Sequence, residues 1–199
     1  MIASPNVKNI TAVVLAGGKG RRVNEQDKGL IPFLDKNLVE HVITSLSNET
    51  KDILIIANRN RKAYTSFGFP VISDRIDGFQ GPLAGIDAAF SETGNPFLLC
   101  VPCDSPFLPN NLIQRFIDAA TGNNPVVVAS DGHRLHPVVS LIHRSVWPDI
   151  EIRLSEGRLK LMDWIESAGY DVADFSSCPN ALQNFNTIEQ MGSTTKTYD

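Results

Sequence analysis

The stretch ITAVVLAGGKG, residues 10–20, decides the fold prediction, because an unbroken apolar segment leads directly into a glycine-rich loop. An apolar strand without polar alternation is covered on both faces, which is typical of a parallel sheet. Glycine allows backbone N–H groups to approach a ligand closely. Because Arg22 and Lys28 follow in the same loop, the stretch indicates a buried strand followed by an anion-binding turn. A solvated basic loop is the alternative interpretation.

Neither of the two best-known phosphate-binding motifs matches this loop. A Walker loop requires the pattern G-x-x-x-x-G-K-[ST], but Lys19 stands at a different spacing and no Ser or Thr follows it. The dinucleotide pattern G-x-G-x-x-G would start at Gly18, and its third glycine position holds Val23. We therefore expect an anion-binding turn of a different design.

The composition is that of an ordinary globular protein. The chain has 199 residues, of which 42% are hydrophobic and 20% are charged, and its formal net charge is -4. These values predict a single domain over residues 1–199, with flexible tails at 1–9 and 192–199. The acidic balance argues against a nucleic-acid partner. No apolar run approaches the roughly 18 residues of a membrane span, and residues 1–9 lack the apolar core of a secretory signal, so we expect a cytoplasmic protein without a membrane partner.

The cysteines do not indicate a disulfide framework, since there are three of them, Cys100, Cys103 and Cys178. The spacing Cys100-x-x-Cys103 also occurs in zinc and redox sites, but a zinc site would need a second pair of ligands. We interpret the two thiols as small side chains that line the end of a strand.

Apolar strand-like runs alternate with helix-like stretches, which predicts an α/β fold around a mostly parallel central sheet. Strands are predicted at residues 10–15, 53–57, 70–73, 97–101, 126–129 and 138–142, with a weaker one at 170–175. Helices are predicted at residues 38–46, 59–66, 82–92, 110–120 and 160–167. Pro82 suits a first helical turn, and Asn110 is the predicted N-cap of the fourth helix.

Carboxylates and glycines follow two further predicted strands. Asp104 comes directly after an apolar strand and between two prolines, where a carboxylate suits a hard cation such as Mg2+, although it could equally cap a turn. Asp74 follows the third strand, and Gly81 lies in the glycine-rich loop after it. Because ligands bind beyond the carboxyl ends of parallel strands, these loops and the one with Lys28 should meet at one edge. Cations, carboxylates and bare backbone together favour nucleotidyl or phosphoryl transfer.

Six stretches resemble, in order and spacing, the molybdenum cofactor guanylyltransferases. They are LAGGKGRRVNEQDKGL (15–30), ANRN (57–60), SDRIDGFQGPLAGI (73–86), PCDSPFLPNNL (102–112), DGHRLHPVVSL (131–141) and NFNTIEQM (184–191). The first stretch alone indicates only the wider nucleotidyltransferase superfamily, whereas the full set is much more specific. The resemblance implies a Rossmann-like three-layer α/β domain. It also implies transfer of GMP from GTP to the terminal phosphate of molybdenum-molybdopterin, with Mg2+ as cofactor and pyrophosphate as the leaving group.

The resemblance also implies roles for individual residues, position by position in the motifs. Arg22, Lys28 and Asp104 would be catalytic, with the two cations facing the phosphates and Asp104 binding the metal. The residues expected to bind the nucleotide are Leu15, Ala16 and Gly17, which would contact guanine through backbone, together with Gly18, Lys28, Asn58, Asp74 and Gly81. The residues expected on the pterin side are Asn184 and Asn186.

This chain departs from the family pattern at Asn24 and Glu25, where relatives often have glycines, and at Ile56, where they often have asparagine. The nearest alternative activity is CMP transfer to the same pterin, but its usual L-A-A-G signature has alanine at the position of Gly17. A sugar-phosphate nucleotidyltransferase and a non-catalytic molybdopterin carrier are further alternatives. The partners implied are GTP and molybdopterin, with other cofactor-biosynthesis proteins or recipient molybdoenzymes as additional ones.

The glycine-rich loop generates a test of individual charges. Lys28→Ala should lower the rate of guanylyl transfer by about 10²–10³, since a preorganised cation facing developing phosphate charge is lost. Arg22→Lys should also lower the rate, because a point charge does not replace a planar, bidentate guanidinium. Arg21→Ala and Lys19→Ala, at positions expected to face solvent, are the matched controls and should retain near wild-type rates. Equal losses in all four variants would mean that the loop acts through bulk charge alone.

Overall fold

The computed structural model describes residues 2–16, 27–76, 78, 81–178 and 180–185, and within them a seven-stranded sheet is covered by helices. The strands are β1 (Ile10–Leu15), β2 (Pro32–Phe33), β3 (Lys36–Asn37), β4 (Ile53–Ile56), β5 (Val71–Ile72), β6 (Phe97–Pro102), β7 (Val126–Ser130), β8 (Leu135–His143) and β9 (Tyr170–Asp174). The α-helices are α1 (Leu38–Ser47), α2 (Arg61–Thr65), α3 (Pro82–Glu92), α4 (Leu112–Ala119), α5 (Trp147–Ser155) and α6 (Leu161–Ala168).

The central sheet has the strand order β5-β4-β1-β6-β8-β7-β9, and β2 pairs with β3 in a separate hairpin. β8 is antiparallel to both of its neighbours, β6 and β7, whereas the other described pairings of the sheet are parallel. The predicted α/β fold with a mostly parallel sheet is therefore confirmed.

Apolar residues of the strands divide between two cores, one on each face of the sheet. Ala12 and Val14 of β1 pack with α1, α2 and α4, while Val13 packs on the other face with α3, α5 and α6. This alternation follows from the period of two along a strand. Because both faces are covered, β1 is apolar at nearly every position, and the result is the expected three-layer arrangement.

The register of the parallel strands brings their carboxyl ends to one level. Leu15 pairs with Ile56 of β4 on one side and with Pro102 of β6 on the other. Ile56 in turn pairs with Ile72, the last residue of β5. The loops that follow these four strands therefore start side by side, as the sequence predicts.

Three local features differ from the sequence-based expectation. The helix α5 was not predicted; its Pro148 lies in the first turn, where proline is tolerated. The hairpin of β2 and β3 was also missed, because its two-residue strands are too short for a periodic signal. Asn110 is not an N-cap, since α4 begins at Leu112.

The first turn of α4 is capped by a residue from another part of the chain. The Glu49 carboxylate accepts hydrogen bonds from the backbone N–H groups of Ile113 (2.9 Å) and Gln114 (3.0 Å). Asn110 instead accepts a hydrogen bond from the side-chain amide of Asn48 at 2.9 Å. A capping partner that lies more than sixty residues away cannot be inferred from local sequence.

Residues 2–9 contact the rest of the molecule. The N–H of Ile2 donates to the carbonyl of Gly122 at 3.2 Å, and the Asn6 side chain caps a short 3-10 turn, Val7–Asn9. Residues 192–199, the second predicted tail, lie outside the described residues. The single domain over residues 1–199 with flexible ends stays a prediction. Among the helices of the described part of the chain, none is long and apolar enough to cross a membrane.

The cap of α4 can be tested through protein stability. Glu49→Ala should lower the free energy of unfolding by about 1 kcal/mol, because two N–H groups at the helix start lose their acceptor. Urea unfolding followed by circular dichroism measures the change. The matched control is Glu166→Ala, on the exposed side of α6, which should change it by less than about 0.5 kcal/mol. An equal effect of both variants would contradict a capping role for Glu49.

Candidate active site

An ion pair occupies the edge of the sheet where β1, β4, β5 and β6 end. The Nζ atom of Lys28 lies 3.4 Å from Oδ2 of Asp104. Lys28 begins a 3-10 turn, Lys28–Leu30, after the β1 loop, and Asp104 follows β6 by two residues. The structure therefore brings together two residues that are 76 positions apart and that the sequence assigns to one site.

Burial dominates the electrostatics of this ion pair. Asp104 is only 7% exposed, and burial raises the pKa of its carboxyl, while the Lys28 ammonium acts in the opposite direction. A carboxylate in such a place has little water to stabilise its charge, so a nearby cation is favoured strongly. The site can thus hold a metal ion or the positive end of a ligand.

The loop that carries Asp104 is fixed on both sides by backbone hydrogen bonds. The N–H of Cys103 donates to the carbonyl of Leu15 at 3.2 Å, which extends the pairing of β1 and β6 by one residue. The carbonyl of Asp104 accepts from the N–H of Phe185 at 2.9 Å. Phe185 is fully buried against Phe33 and Phe107. The aromatic contacts of Phe185 therefore hold the backbone of Asp104 in place.

Asn58 and Asp74 form a second polar pair at the same edge. The side-chain amide of Asn58 donates to Oδ2 of Asp74 at 2.7 Å, and the N–H of Asp74 donates to Oδ1 of Asn58 at 2.9 Å. Burial raises the pKa of the Asp74 carboxyl, the Asn58 hydrogen bond lowers it, and the charge of Asp87 raises it. The two reciprocal bonds fix the orientation of the carboxylate.

The start of α3 approaches these strand ends closely. A Cβ at Gly85, in the first turns of α3, would lie 2.8 Å from Cδ2 of Leu15 and 3.8 Å from Oδ1 of Asp74. Gly81 precedes the helix with a φ of 75°, a conformation that favours glycine. The N-terminal end of α3 therefore lies beside the site, although Pro82 has no N–H group and the N–H of Ala84 already donates to the carbonyl of Gly81 at 3.2 Å.

The backbone of Leu15 and Ala16 is partly engaged by the sheet. The N–H of Ala16 donates to the carbonyl of Ile56 at 2.8 Å, and the carbonyl of Leu15 accepts from Cys103. Their predicted contact with a base must therefore use other backbone groups, and it stays a prediction. The remaining predicted site residues, Gly17, Gly18, Arg22 and Asn186, lie outside the described residues.

Asn184 lies between the Asp104 loop and a cavity of about 480 Å³. Its Oδ1 accepts a hydrogen bond from the hydroxyl of Ser105 at 2.8 Å. The cavity is lined by Pro102 at the end of β6, by Arg134 to Val139 around the start of β8, and by Gln183 and Asn184. A ligand in this cavity would therefore be adjacent to the loop of the ion pair.

His136, a residue with no role predicted from the sequence, lies on the wall of this cavity. Its Nε2 lies 2.8 Å from Oδ2 of Asp131, and this hydrogen bond holds the pKa of the Asp131 carboxyl below its usual range. The N–H groups of His133 and Arg134 also donate to Asp131. The sequence signal for this cluster is the run of residues 131–136, in which aspartate, histidine and arginine stand directly before an apolar strand.

The thiols do not form a paired site. Cys100 packs in the core with α3, and Cys103 packs in the core on the opposite face of the sheet. Burial raises the pKa of both thiols, that of Cys100 to about 12. The two side chains therefore serve as small apolar groups, as interpreted from the sequence.

Comparisons with known proteins identify the family of this chain. The model of the MobA-like NTP transferase domain matches residues 12–172. A molybdenum cofactor guanylyltransferase from Shewanella pealeana is 44% identical over 182 residues, which cover 91% of each chain. One from Photobacterium profundum is 38% identical over 187 residues, covering 94% of this chain and 96% of that protein.

A solved structure from Archaeoglobus fulgidus, molybdopterin-guanine dinucleotide biosynthesis protein A, shares the fold with a TM-score of 0.78. It is 18% identical and covers 94% of this chain and 98% of its own. The chain therefore contains a MobA-like NTP transferase domain and belongs to the family of molybdenum cofactor guanylyltransferases, which are nucleotidyltransferase enzymes.

Proposed function

We propose that the chain transfers GMP from GTP to the terminal phosphate of molybdopterin carrying molybdenum, and that pyrophosphate leaves. The observation that supports this most is the pair of Lys28 and Asp104 at the edge of the sheet. A buried carboxylate beside an ammonium group suits a reaction in which charge on phosphate oxygens must be neutralised. The name of the curated relatives supports the choice of substrates.

The donor set at Asp104 fits Mg2+. Nucleotidyltransferases of this family generally depend on a divalent metal ion. Mg2+ is usually held by one or two carboxylates together with substrate phosphates and water. In the part of the chain that the structure describes, no cluster of three or more His, Cys, Asp or Glu could hold a metal by itself, which agrees with this mode. Asp104 would be the protein ligand, and the ion when bound supplies Lewis-acid charge to phosphate oxygens.

Lys28 supplies a positioned positive charge. Its side chain is 23% exposed and that of Asp104 is 10% exposed, so their environment is intermediate between water and a dry core. One charge pair at about 4 Å is worth roughly 4 kcal/mol at an effective dielectric near 20, and about 1 kcal/mol in bulk water. The Lys28 ammonium group therefore offsets the negative charge of Asp104, and it offsets that of the phosphates once GTP is bound. Arg22 is proposed to add a second positive charge at the phosphates.

The nucleotide is proposed to lie over β1, β4 and the start of α3. Asp74, oriented by Asn58, contacts the nucleotide, and the N-terminal end of α3, where the helix dipole is positive, is proposed to face the phosphates. The backbone contacts are assigned to Leu15, Ala16, Gly17, Gly18 and Gly81. A site that recognises a base through hydrogen bonds rejects a base that leaves those groups unpaired.

The molybdopterin is proposed to occupy the cavity beside β8. Its polar wall of Arg134, His136 and Asn184 suits a ligand with a phosphate and several ring donors and acceptors. The hydrogen bond from Ser105 to Asn184 supports a position of the acceptor next to the Asp104 loop. Asn186 is proposed to contribute on the same side.

The setting of the reaction is also part of the proposal. We infer a cytoplasmic enzyme that receives molybdopterin from other cofactor-biosynthesis proteins and passes its product to recipient molybdoenzymes. The whole chain, residues 1–199, is proposed to act as one domain.

Product formation tests the reaction and the role of Asp104 together. The protein is incubated with labelled GTP, Mg2+ and molybdopterin, and the guanine dinucleotide and pyrophosphate are measured. Asp104→Asn should lower turnover by about 10²–10³ or more, because the carboxylate that would hold the metal ion at the phosphates is lost. The matched control is Asp52→Asn, since Asp52 bonds Thr11 and Asn95 at the opposite end of the sheet and should retain the rate.

Wild-type rates for Asp104→Asn would refute the metal-ligand assignment. Equal competition by CTP and GTP would instead favour the cytidylyl alternative, and a protein that binds molybdopterin without forming product would favour the carrier.

The acceptor side is tested by substrate selectivity. The double variant Asn184→Ala, Asn186→Ala should weaken molybdopterin binding and leave GTP binding unchanged, as measured by calorimetry with each substrate. Asn110→Ala, which removes an exposed amide bonded to Asn48, is the control and should change neither. A selective loss of GTP affinity would mean that the two pockets are reversed.

A further inference from the structure

Asp27, the residue before Lys28, is held by side chains from a later part of the chain. The hydroxyl of Tyr64 donates to Oδ1 of Asp27 at 2.5 Å, and the side-chain amide of Asn60 donates to Oδ2 at 3.2 Å. Tyr64 belongs to α2, and Asn60 immediately precedes it. Both oxygens of one carboxylate are thus bound to the same short segment.

Tyr64 is a rigid donor in this arrangement. Its side chain is fully buried in the core under α1 and α4, and its ring packs on Phe67. Burial raises the pKa of the phenol far above its usual range, so the hydroxyl keeps its proton and donates a hydrogen bond to the carboxylate. Asn60 adopts a φ of 50°, a left-handed conformation that asparagine tolerates better than most residues.

Gly29, the residue after Lys28, is also packed closely against its neighbours. A Cβ at Gly29 would lie 2.5 Å from the Tyr64 hydroxyl oxygen and 3.2 Å from Cβ of Cys103, the neighbour of Asp104. Gly29 has an ordinary φ, so closeness rather than backbone conformation accounts for glycine here. The segment 27–29 is therefore confined between Tyr64 and the Asp104 loop.

This packing restricts the positions that the backbone of Lys28 can adopt. The N–H of Leu30 donates to the carbonyl of Asp27 at 3.0 Å, and that of Ile31 to the carbonyl of Lys28 at 3.1 Å, which closes a tight turn. A lysine side chain is long and flexible, and its charge acts strongly only when its base is fixed. Fixing both neighbours of Lys28 reduces the entropy that would be lost when its ammonium group meets a phosphate.

We propose that Tyr64 is a positioning residue that acts through Asp27, with Asn60 as a second anchor, to fix the backbone of Lys28 so that its ammonium group stands between Asp104 and the phosphates of the nucleotide. This role rests on the proposed function for its kinetic consequence. The anchoring of the turn itself is independent of the substrate.

Tyr64→Phe tests the anchor, because it removes the hydroxyl and keeps the buried ring. It should lower kcat by about tenfold to a hundredfold, the range that a displacement of a catalytic group produces, with a smaller change in KM for GTP. In a Lys28→Ala background the same change should have little further effect, since the anchor acts through that lysine. Tyr170→Phe, which removes a hydroxyl on β9 at the opposite edge of the sheet, is the matched control and should retain the rate.

A loss of equal size in both backgrounds would overturn the proposal, because it would show that the hydroxyl serves general stability. If Tyr64→Phe does not fold, Asp27→Ala provides the same test, because it removes the other partner of this hydrogen bond. Asp27→Asn keeps an oxygen acceptor for the Tyr64 hydroxyl, so it should restore most of the rate lost in Asp27→Ala.

Amide hydrogen exchange supplies a readout that needs no substrate. Exchange at Leu30 and Ile31 should accelerate about tenfold or more in Tyr64→Phe and stay unchanged in Tyr170→Phe. If the wild-type protein forms no guanine dinucleotide but the exchange result holds, the proposed function fails and the anchor stands. Unchanged exchange in Tyr64→Phe would refute the anchor whatever the enzyme transfers.

Discussion

The level register of β1 with β4 and β6 is the constraint on which the site depends. Leu15 pairs with Ile56 and with Pro102, so the loops after three neighbouring strands leave the sheet at the same height. A shift of one residue would turn every side chain to the opposite face and separate Lys28 from Asp104. Two filled cores, one on each face, make such a shift costly. The chemistry at the edge is thus a consequence of the packing beneath it.

Packing also explains why a buried carboxylate is tolerated at this edge. Desolvation disfavours the charge of Asp104, and the hydrogen bond network leaves its backbone little freedom to move toward water. The nearby ammonium group of Lys28 offsets part of that cost. Under the proposed function, a bound cation and phosphates would complete the charge balance that the protein alone provides only in part, and their binding would stabilise the folded protein.

Features carried by local sequence could be predicted, and features carried by distant contacts could not. The continuous apolar run of β1 and the position of Asp104 just after β6 follow from periodicity and order along the chain. The glycine-rich turn after β1 stays a prediction, because its glycines lie outside the described residues. Asn110 as a cap of α4 was wrong because Glu49 supplies the acceptor from another element. The sequence around Tyr64 does not indicate its proposed positioning role, because a buried tyrosine in a short helix resembles any core aromatic. Its hydrogen-bond partner, Asp27, is distant in the sequence, so only the folded structure reveals the contact.

The reversed strand β8 divides the edge of the sheet between two parts of the chain. Because β8 runs against β6, its first residues rather than its last ones lie beside Pro102. Apart from Pro102, the wall of the cavity is therefore built by residues 134–139 together with 183–184, whereas the ion pair and the Asn58–Asp74 pair come from residues before 105. An insertion or exchange in the loop before β8 can reshape the cavity while the strands that carry the ion pair keep their register. Under the proposed function, the binding sites for the two substrates can therefore diverge at different rates during evolution.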